Sequence, residues 1–161
     1  MDTKNEDYLH GALDFAIKAR DSKVEQLFYS IYDISPQTTG MFDVVFCGSL
    51  LIHLTDPLRA LYALRSVTRE YALIATPIDP ETDLAPRGYV KRLPRNAPPA
   101  QPRAYFHGIV NGQAFWSPNM LCLERWALAA GFKSVERVST FRLATLDGQF
   151  DIPHGTIRAY V

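Results

Sequence analysis

The chain has 161 residues and a formal net charge of zero, with 47% hydrophobic and 21% charged residues. This composition is typical of one globular domain, and the balanced charge excludes a global attraction to nucleic acid or to an acidic membrane surface. The polar start over Met1–Asp7 and the lack of an apolar run of ~20 residues predict a chain without membrane contact. The sequence contains only two cysteines, which favours a cytoplasmic protein without a metal site. We therefore expect one cytoplasmic domain over residues 1–161.

The first two predicted elements are a helix and a strand that precede a loop. Apolar residues recur at helical intervals over Asp7–Arg20, and Asp7 is the predicted N-cap. The run Val24–Ile31 is predicted to be a strand. Ser35-Pro36 and Thr39-Gly40 are turn signals, so they place a loop before the next element.

The 36 residues from Met41 to Thr76 carry the strongest pattern in the chain. β-branched and aromatic residues form a short run, as a strand covered on both faces requires, and a turn and a capped helix follow it. A strand, a helix and a second strand at this spacing form a right-handed parallel crossover, and ligands bind beyond the carboxyl ends of such strands. The predicted elements are a strand over Phe42–Phe46, a turn over Cys47–Ser49, a helix from Asp56-Pro57 and a strand over Tyr71–Thr76.

Residues 77–116 are predicted to be an irregular, basic excursion from the sheet. Seven of the eleven prolines lie between Pro77 and Pro102, which is too many for a long helix or a central strand. No acidic residue occurs from Leu84 to Leu123, whereas this stretch contains five lysine and arginine residues. Loops of this length in compact domains are usually functional or disordered.

The last predicted elements are a helix and two strands. Ser117-Pro118 is predicted to cap a helix that ends at Gly131, with Phe132 making the apolar contact of a glycine-terminated helix. Two strands, over Val135–Leu143 and Thr156–Val161, flank a predicted turn at Asp147-Gly148.

Three stretches resemble class I S-adenosylmethionine-dependent methyltransferases. The sequence FDVVFCGSLLIHLTDPLRAL from Phe42 resembles the fourth strand and the following helix of that family. Val24–Ser35 resembles its third strand and adenine-side loop. Phe115–Phe132 resembles its late helix, with F-W-x-P and A-G-F signatures of a branch that includes tRNA wobble-uridine modifying enzymes. The resemblance implies an α/β fold with a partial Rossmann-like sheet, mostly parallel, ending in an antiparallel strand pair.

The resemblance does not extend to the family's glycine-rich loop. The nine glycines contain no G-x-G pair, and the family's first two strands and a helix have no counterpart. A truncated gene model, a domain fragment and a second chain that supplies the rest all fit this observation. Without those strands, Val24–Ile31 has no neighbour and one edge of Phe42–Phe46 is open, so we expect a rearranged fold, a strand-exchanged homodimer or an unstable chain.

The resemblance implies S-adenosyl-L-methionine as cofactor and assigns residues to its site. For Asp2, the alternative is a disordered terminal acid. For Ser30, Ile31 and Tyr32 the alternative is a loop without a binding role, and for Cys47 the alternative is a small buried hydrophobic side chain. The implied cofactor-binding residues are Asp2 at the ribose, Ser30, Ile31 and Tyr32 beside the adenine, and Cys47, Gly48 and Ser49 at the methionine portion.

Two histidines are candidate catalytic residues because a histidine can take a proton from an oxygen or nitrogen acceptor. His53 follows the turn, and its alternative role is packing before the helix. His107 lies among aromatic residues in the basic excursion, where a ring or base could stack, although a solvated loop is equally compatible.

The leading functional hypothesis is S-adenosylmethionine-dependent methyl transfer to an unidentified acceptor, a small molecule or RNA, with help from residues upstream of this chain. The alternative is a degenerate, non-catalytic methyltransferase-like module that binds a partner. A nucleotide-binding oxidoreductase is disfavoured because no G-x-G-x-x-G motif is present.

Overall fold

The structure, a computed structural model, describes residues 3–79, 101–108, 114–144 and 151–161, with side chains from residue 11 onward. Asp2, the turn at Asp147-Gly148 and most of the predicted excursion lie outside the described residues. The helices are α1 (Thr3–Ala19), α2 (Pro57–Val67) and α3 (Met120–Ala129), with a short 3-10 helix over Leu51–His53. The strands are β1 (Phe42–Gly48), β2 (Thr68–Pro77), β3 (Ala104–Phe106), β4 (Trp116–Pro118), β5 (Ser134–Ala144) and β6 (Asp151–Tyr160).

Four strands form the main sheet in the order β1–β2–β6–β5. β1 and β2 pair in parallel, with α2 as the crossover between them, and β6 is antiparallel to both of its neighbours. Three strands therefore run in one direction and β6 opposes them. This confirms the predicted α/β class, with a Rossmann-like, mostly parallel sheet that ends in an antiparallel pair.

The helix α2 forms where the sequence predicts it. The Asp56 carboxylate accepts a hydrogen bond from the Arg59 N–H at 2.9 Å, and Pro57 occupies the first turn, where its missing N–H costs nothing. The buried face of α2 packs with α3 and one face of the sheet into a single core. Members of that core are Leu51, Leu61, Leu64, Ile74, Leu123, Ala127, Ile157 and Ala159.

The two ends of α3 differ in how well they were predicted. Gly131 has φ +96° and donates to the Leu128 carbonyl, while Phe132 is buried and donates to the Ala127 carbonyl, so the predicted glycine-terminated end is confirmed. The predicted cap at Ser117-Pro118 is wrong. Those residues belong to β4, and Asn119 caps the helix because its side chain accepts from the Cys122 N–H at 2.8 Å.

Three other local predictions were also wrong. Residues 23–30 form no regular element, because the strand predicted over Val24–Ile31 has no neighbour among the described residues with which to form a ladder. The helix α1 begins at Thr3, so Asp7 lies inside it and does not cap it. In the stretch predicted to be irregular, Ala104–Phe106 forms β3, which pairs with β4 as a small antiparallel ribbon, from Ala104↔Pro118 to Phe106↔Trp116.

The strand β1 forms one side of the main sheet, and β2 is its partner among the described residues. Phe46 on this strand is 69% exposed, and Phe42 and Val44 are exposed as well. An apolar edge of this kind favours association, so the expected strand-exchanged homodimer stays a prediction. Among the described helices, none combines the length and hydropathy that a bilayer crossing requires.

Candidate functional site

Polar groups converge where β1 and β2 end. β1 ends at Gly48 and β2 at Pro77, and because β6 runs in the opposite direction, its first half lies beside the end of β2, with His154 opposite Pro77. In open α/β sheets, ligands bind in the crevice outside the carboxyl ends of the strands. Ser49 and His154 meet at this end of the sheet, so the predicted turn contributes to a larger polar site.

Ser49 has an unusual backbone conformation. Its φ is +52°, in the left-handed region that costs a non-glycine residue about 1–2 kcal/mol. Its N–H donates to the Ala75 carbonyl at 2.7 Å, which continues the β1–β2 contact one residue past the strand. The backbone of Ser49 is therefore held in place, with its side chain part-buried beside His154.

His154 is a site residue for which the sequence analysis predicted no role. Its Nε2 lies 3.1 Å from Ser49 Oγ, and its Nδ1 lies 3.0 Å from the Ile152 carbonyl oxygen. The ring is only 3% exposed and stacks on Phe141, with 5.3 Å between ring centroids. No sequence signal links His154 to Ser49, since 105 residues separate them and only the sheet order brings them together.

Thr76 adds a hydroxyl without a partner in the described part of the chain. It is fully buried on β2, and its Oγ1 makes no hydrogen bond there. Gly155 lies directly across the ladder and has no side chain to meet this hydroxyl. A buried hydroxyl of this kind costs free energy unless another group satisfies it. It lies on the opposite face of the sheet from His154, because Thr76 pairs with Gly155 whereas His154 pairs with Pro77.

Gly48 is not required by the fold. A Cβ added there would lie 2.8 Å from the ring of Phe46, but that ring is 69% exposed and can turn away, and the φ of Gly48 is not in the left-handed region. A glycine that neither backbone nor packing requires is consistent with close approach of a ligand to the main chain.

Cys47 faces the core and is not a nucleophile. It is 4% exposed, and burial raises the pKa of its thiol from 9.0 to about 11, although a hydrogen bond with the Leu50 backbone opposes the shift. The thiolate is the reactive form of cysteine, so this thiol is inert at neutral pH. These values agree with the interpretation of Cys47 as a small buried hydrophobe.

The raised thiol pKa of Cys47 predicts a loss of stability in alkali. Because the folded protein holds the proton more tightly, the stabilisation is complete below pH 9.0 and is lost as the pH rises to about 11. Over that range we expect the free energy of unfolding to fall by up to about 3 kcal/mol more for the parent chain than for Cys47→Ala. Urea unfolding across the pH series measures this difference, and parallel pH profiles for the two proteins would contradict it.

The loop over Ser30–Tyr32 lies beside the start of α2. The Tyr32 hydroxyl accepts a hydrogen bond from the Asp56 N–H at 3.2 Å, and the Arg59 guanidinium lies 4.9 Å above the Tyr32 ring. Ile31 and Tyr32 pack against the core, whereas the Ser30 hydroxyl accepts from the Tyr32 N–H at 3.3 Å in a local turn. The loop thus borders the same end of the sheet as Gly48.

His53 and His107 both lie next to Phe115. The Phe115 N–H donates to the carbonyl of Ile52, the residue before His53, and the Phe115 carbonyl accepts from the His107 N–H, each at 2.7 Å. The ribbon formed by β3 and β4 therefore lies against the 3-10 helix that follows Ser49. Both histidines are exposed, and His107 Nε2 lies 2.8 Å from the Ser117 hydroxyl.

Asn119 joins this ribbon to α3 and was also missed. It is 1% exposed, and its Oδ1 accepts from the N–H groups of Cys122 and Arg103 at 2.8 and 3.0 Å. Its Nδ2 donates to the Gln101 carbonyl at 2.9 Å. Every polar atom of this side chain is used to hold backbone, so Asn119 positions the segment before β3 and takes no direct part in chemistry.

No protein-family model matches the sequence, and no curated protein matches it. Solved structures do resemble this fold. The N-terminal domain of EvdMO1 with S-adenosylhomocysteine bound has a TM-score of 0.58 and 15% identity, with 92% of this chain and 58% of that chain covered. A second similar structure is the Burkholderia thailandensis 1,6-didemethyltoxoflavin-N1-methyltransferase with bound 1,6-didemethyltoxoflavin and S-adenosylhomocysteine. Its TM-score is 0.53 at 14% identity, with 89% of this chain and 54% of that chain covered.

A third similar structure is a Thermotoga maritima S-adenosylmethionine-dependent methyltransferase, described as a possible histamine N-methyltransferase. Its TM-score is 0.52 at 16% identity, with 88% of this chain and 66% of that chain covered. At these identities the likeness shows the fold alone. This chain has the Rossmann-like fold of these methyltransferases and spans 58% of the length of the first of them.

Proposed function

We propose that this chain takes part in S-adenosylmethionine-dependent methyl transfer. The observation that carries the proposal is the turn at Gly48 and Ser49, which lies at the carboxyl end of a parallel strand in a methyltransferase-like sheet. The Phe46 ring that lies against Gly48 is exposed and can turn away from the main chain, and the part-buried Ser49 hydroxyl is next to it.

The residues present fit part of a nucleoside-amino acid ligand. Cys47, Gly48 and Ser49 would border its methionine portion, and Ser30–Tyr32 its adenine. Asp2 keeps its proposed role at the ribose. When bound, the cofactor would supply an electrophilic methyl group, and the task of the chain would be to orient an acceptor and remove its proton. Because no G-x-G loop occurs in the sequence, we expect binding weaker than ~100 μM, about 5 kcal/mol.

The acceptor is proposed to approach from the ribbon formed by β3 and β4. Phe106 and Tyr105 are 63% and 50% exposed there, and Phe106 packs on Trp116 with 4.8 Å between ring centroids. These rings could stack on a flat small molecule or on a base of RNA, within reach of the proposed catalytic residues His53 and His107.

A second proposal is a non-catalytic, partner-binding module. It is supported by the open apolar edge of β1, since an unpaired strand edge can add a strand from another chain. A strand-exchanged homodimer is one form of this proposal. The two proposals differ in whether S-adenosylhomocysteine perturbs the turn at Gly48.

Titration of the ¹⁵N-labelled chain with S-adenosylhomocysteine to millimolar concentration tests the methyl-transfer proposal. We expect amide shifts at Cys47, Gly48, Ser49 and Tyr32. Gly48→Ala should keep the parent melting temperature, because only the exposed Phe46 ring must move, but should bind at least ~10-fold more weakly, about 1.4 kcal/mol.

Gly11→Ala is the matched control, since an added Cβ at Gly11 would meet nothing within 4 Å. It should bind like the parent. If the turn does not respond to the ligand, or if both alanine variants bind equally well, the methyl-transfer proposal fails and the partner-binding module is favoured.

A further inference from the structure

The Ser49–His154 contact has defined donor and acceptor roles. The Ile152 carbonyl can only accept, so Nδ1 of His154 carries the proton and donates to it at 3.0 Å. In a neutral imidazole the other nitrogen is then an acceptor. The Ser49 hydroxyl, 3.1 Å from Nε2, is therefore the donor. Its proton points at the Nε2 of an imidazole whose Nδ1 is held by the Ile152 carbonyl.

Two features hold the His154 ring in this orientation. The ring stacks on Phe141 at an angle of 19° between ring planes, and it is almost fully buried. The bond from Nδ1 to the carbonyl of Ile152, two residues earlier, fixes its rotation. An imidazole with a hydrogen-bonded Nδ1–H and an Nε2 facing a serine hydroxyl has the arrangement of the base in serine-dependent enzymes.

The backbone of Ser49 strengthens this argument. With φ at +52°, a glycine would fit this position at lower cost than serine. Strained residues of this kind concentrate at functional sites. The hydroxyl therefore has a use that outweighs the backbone penalty, and its partner in the described structure is His154.

We propose that Ser49 and His154 form a proton-transfer pair at the carboxyl end of β1. A bound neutral hydroxyl or N–H group gives its proton to Ser49 Oγ, while the hydroxyl proton of Ser49 passes to His154 Nε2, so the bound group becomes an anion. Ser49 ends unchanged and His154 becomes an imidazolium whose Nδ1–H stays on the Ile152 carbonyl. Ser49 is the residue that touches the reacting group, and His154 is a positioning residue that acts through it.

The pair also narrows the class of acceptor, and this step rests on the proposed methyl transfer. An acceptor served by Ser49 and His154 must have a proton to lose, as an alcohol, a phenol or a ring N–H has. A carboxylate acceptor has none. The pair itself requires no cofactor, so it can be tested in the chain alone.

A fluorophosphonate probe tests whether Ser49 transfers its proton to His154. The Ser49 Oγ–P bond forms, the P–F bond breaks, fluoride leaves and the proton moves to Nε2. We expect the folded chain to gain one label, located at Ser49 by mass spectrometry. Ser49→Ala should lose it, and His154→Gln should slow labelling by at least ~100-fold.

Ser117 provides the matched control, because its hydroxyl also lies near a histidine, 2.8 Å from His107 Nε2 at the exposed ribbon. Ser117→Ala should label at the parent rate. Absence of a label at Ser49, or equal rates for the parent and His154→Gln, would overturn the proposal.

Ring ¹⁵N spectra of the parent chain supply a readout that does not depend on the folding of His154→Gln. His154 should show a protonated Nδ1 and an unprotonated Nε2, and Ser49→Ala should shift the Nε2 signal. A proton on Nε2, or no shift, would contradict the pair. Neither readout involves S-adenosylhomocysteine. If the ligand does not shift the amides of the turn at Gly48, the methyl-transfer proposal is contradicted, but the Ser49–His154 proposal is not.

Discussion

Asn119→Leu is expected to lower the free energy of unfolding by about 3 kcal/mol. The substitution removes the acceptor for the N–H groups of Cys122 and Arg103 and the donor to the Gln101 carbonyl. Asn119 is 1% exposed, so water cannot replace these bonds without opening the structure. Loss of a helix N-cap costs roughly 0.5–2 kcal/mol, and each buried group left without a partner costs about 1–3 kcal/mol more.

Two further variants separate the contributions at this position. Asn119→Asp keeps an acceptor for both N–H groups but places a carboxylate oxygen against the Gln101 carbonyl, so its loss should be smaller than that of Asn119→Leu. Asp56→Ala removes an exposed cap that makes one bond, to the Arg59 N–H, and should cost only about 1 kcal/mol.

Urea unfolding monitored by circular dichroism measures all three variants under the same conditions. The expected order of loss is Asn119→Leu, then Asn119→Asp and Asp56→Ala. If Asn119→Leu costs no more than Asp56→Ala, then Asn119 is an ordinary helix cap and does not hold the segment before β3.

The parts of the fold that the sequence predicted are those fixed by local chemistry. Asp56-Pro57 sets the start of α2 because a side-chain acceptor and a proline act within one turn. Gly131 ends α3 because few other residues adopt its positive φ. The parallel pairing of β1 and β2 also follows from local spacing, since the helix between them leaves only one arrangement of the two strands.

The parts that were missed depend on partners far along the chain. Val24–Ile31 has the composition of a strand, but a strand forms only beside another one, and the described structure places none there. The sequence predicts a cap at Ser117, but Asn119 caps the helix because its side chain also bonds to the backbone of Gln101 and Arg103.

The candidate site shows the same division. The turn at Gly48 and Ser49 is visible in the sequence as a break after an apolar strand. His154 is not, because it reaches Ser49 only after β6 inserts between β2 and β5. A histidine in a strand has no local signature of function, so its role becomes visible only with the sheet order.

Gly155→Ala is expected to destabilise the protein by about 2 kcal/mol and to disturb the site beside it. An added Cβ would lie 2.5 Å from Met120 Sδ and 3.1 Å from Ile78 Cγ2. Both neighbours are buried, at 2% and 5% exposure, so neither can turn into solvent, and overpacking of this kind typically costs 1–3 kcal/mol. Gly155 therefore allows the start of α3 to pack closely on β6.

Gly155→Ala should also affect the Ser49–His154 pair, because Gly155 lies between His154 and the first turn of α3. Displacement of β6 should move His154 away from Ser49, so fluorophosphonate labelling of Gly155→Ala should be slower than that of the parent. Gly11→Ala is the control. It adds the same methyl group in open space on α1, and its free energy of unfolding should stay the same or rise, because alanine is the better helix former.

A double-mutant cycle with Met120→Ala identifies the clash. Shortening Met120 removes the atom that the new Cβ would meet first. In the Met120→Ala background, Gly155→Ala should therefore lower the free energy of unfolding by less than roughly half of its effect in the parent chain. Equal costs in the two backgrounds would show that Met120 does not set the requirement for glycine. A Gly155→Ala protein as stable as Gly11→Ala would show that α3 and β6 are not in close contact at this point.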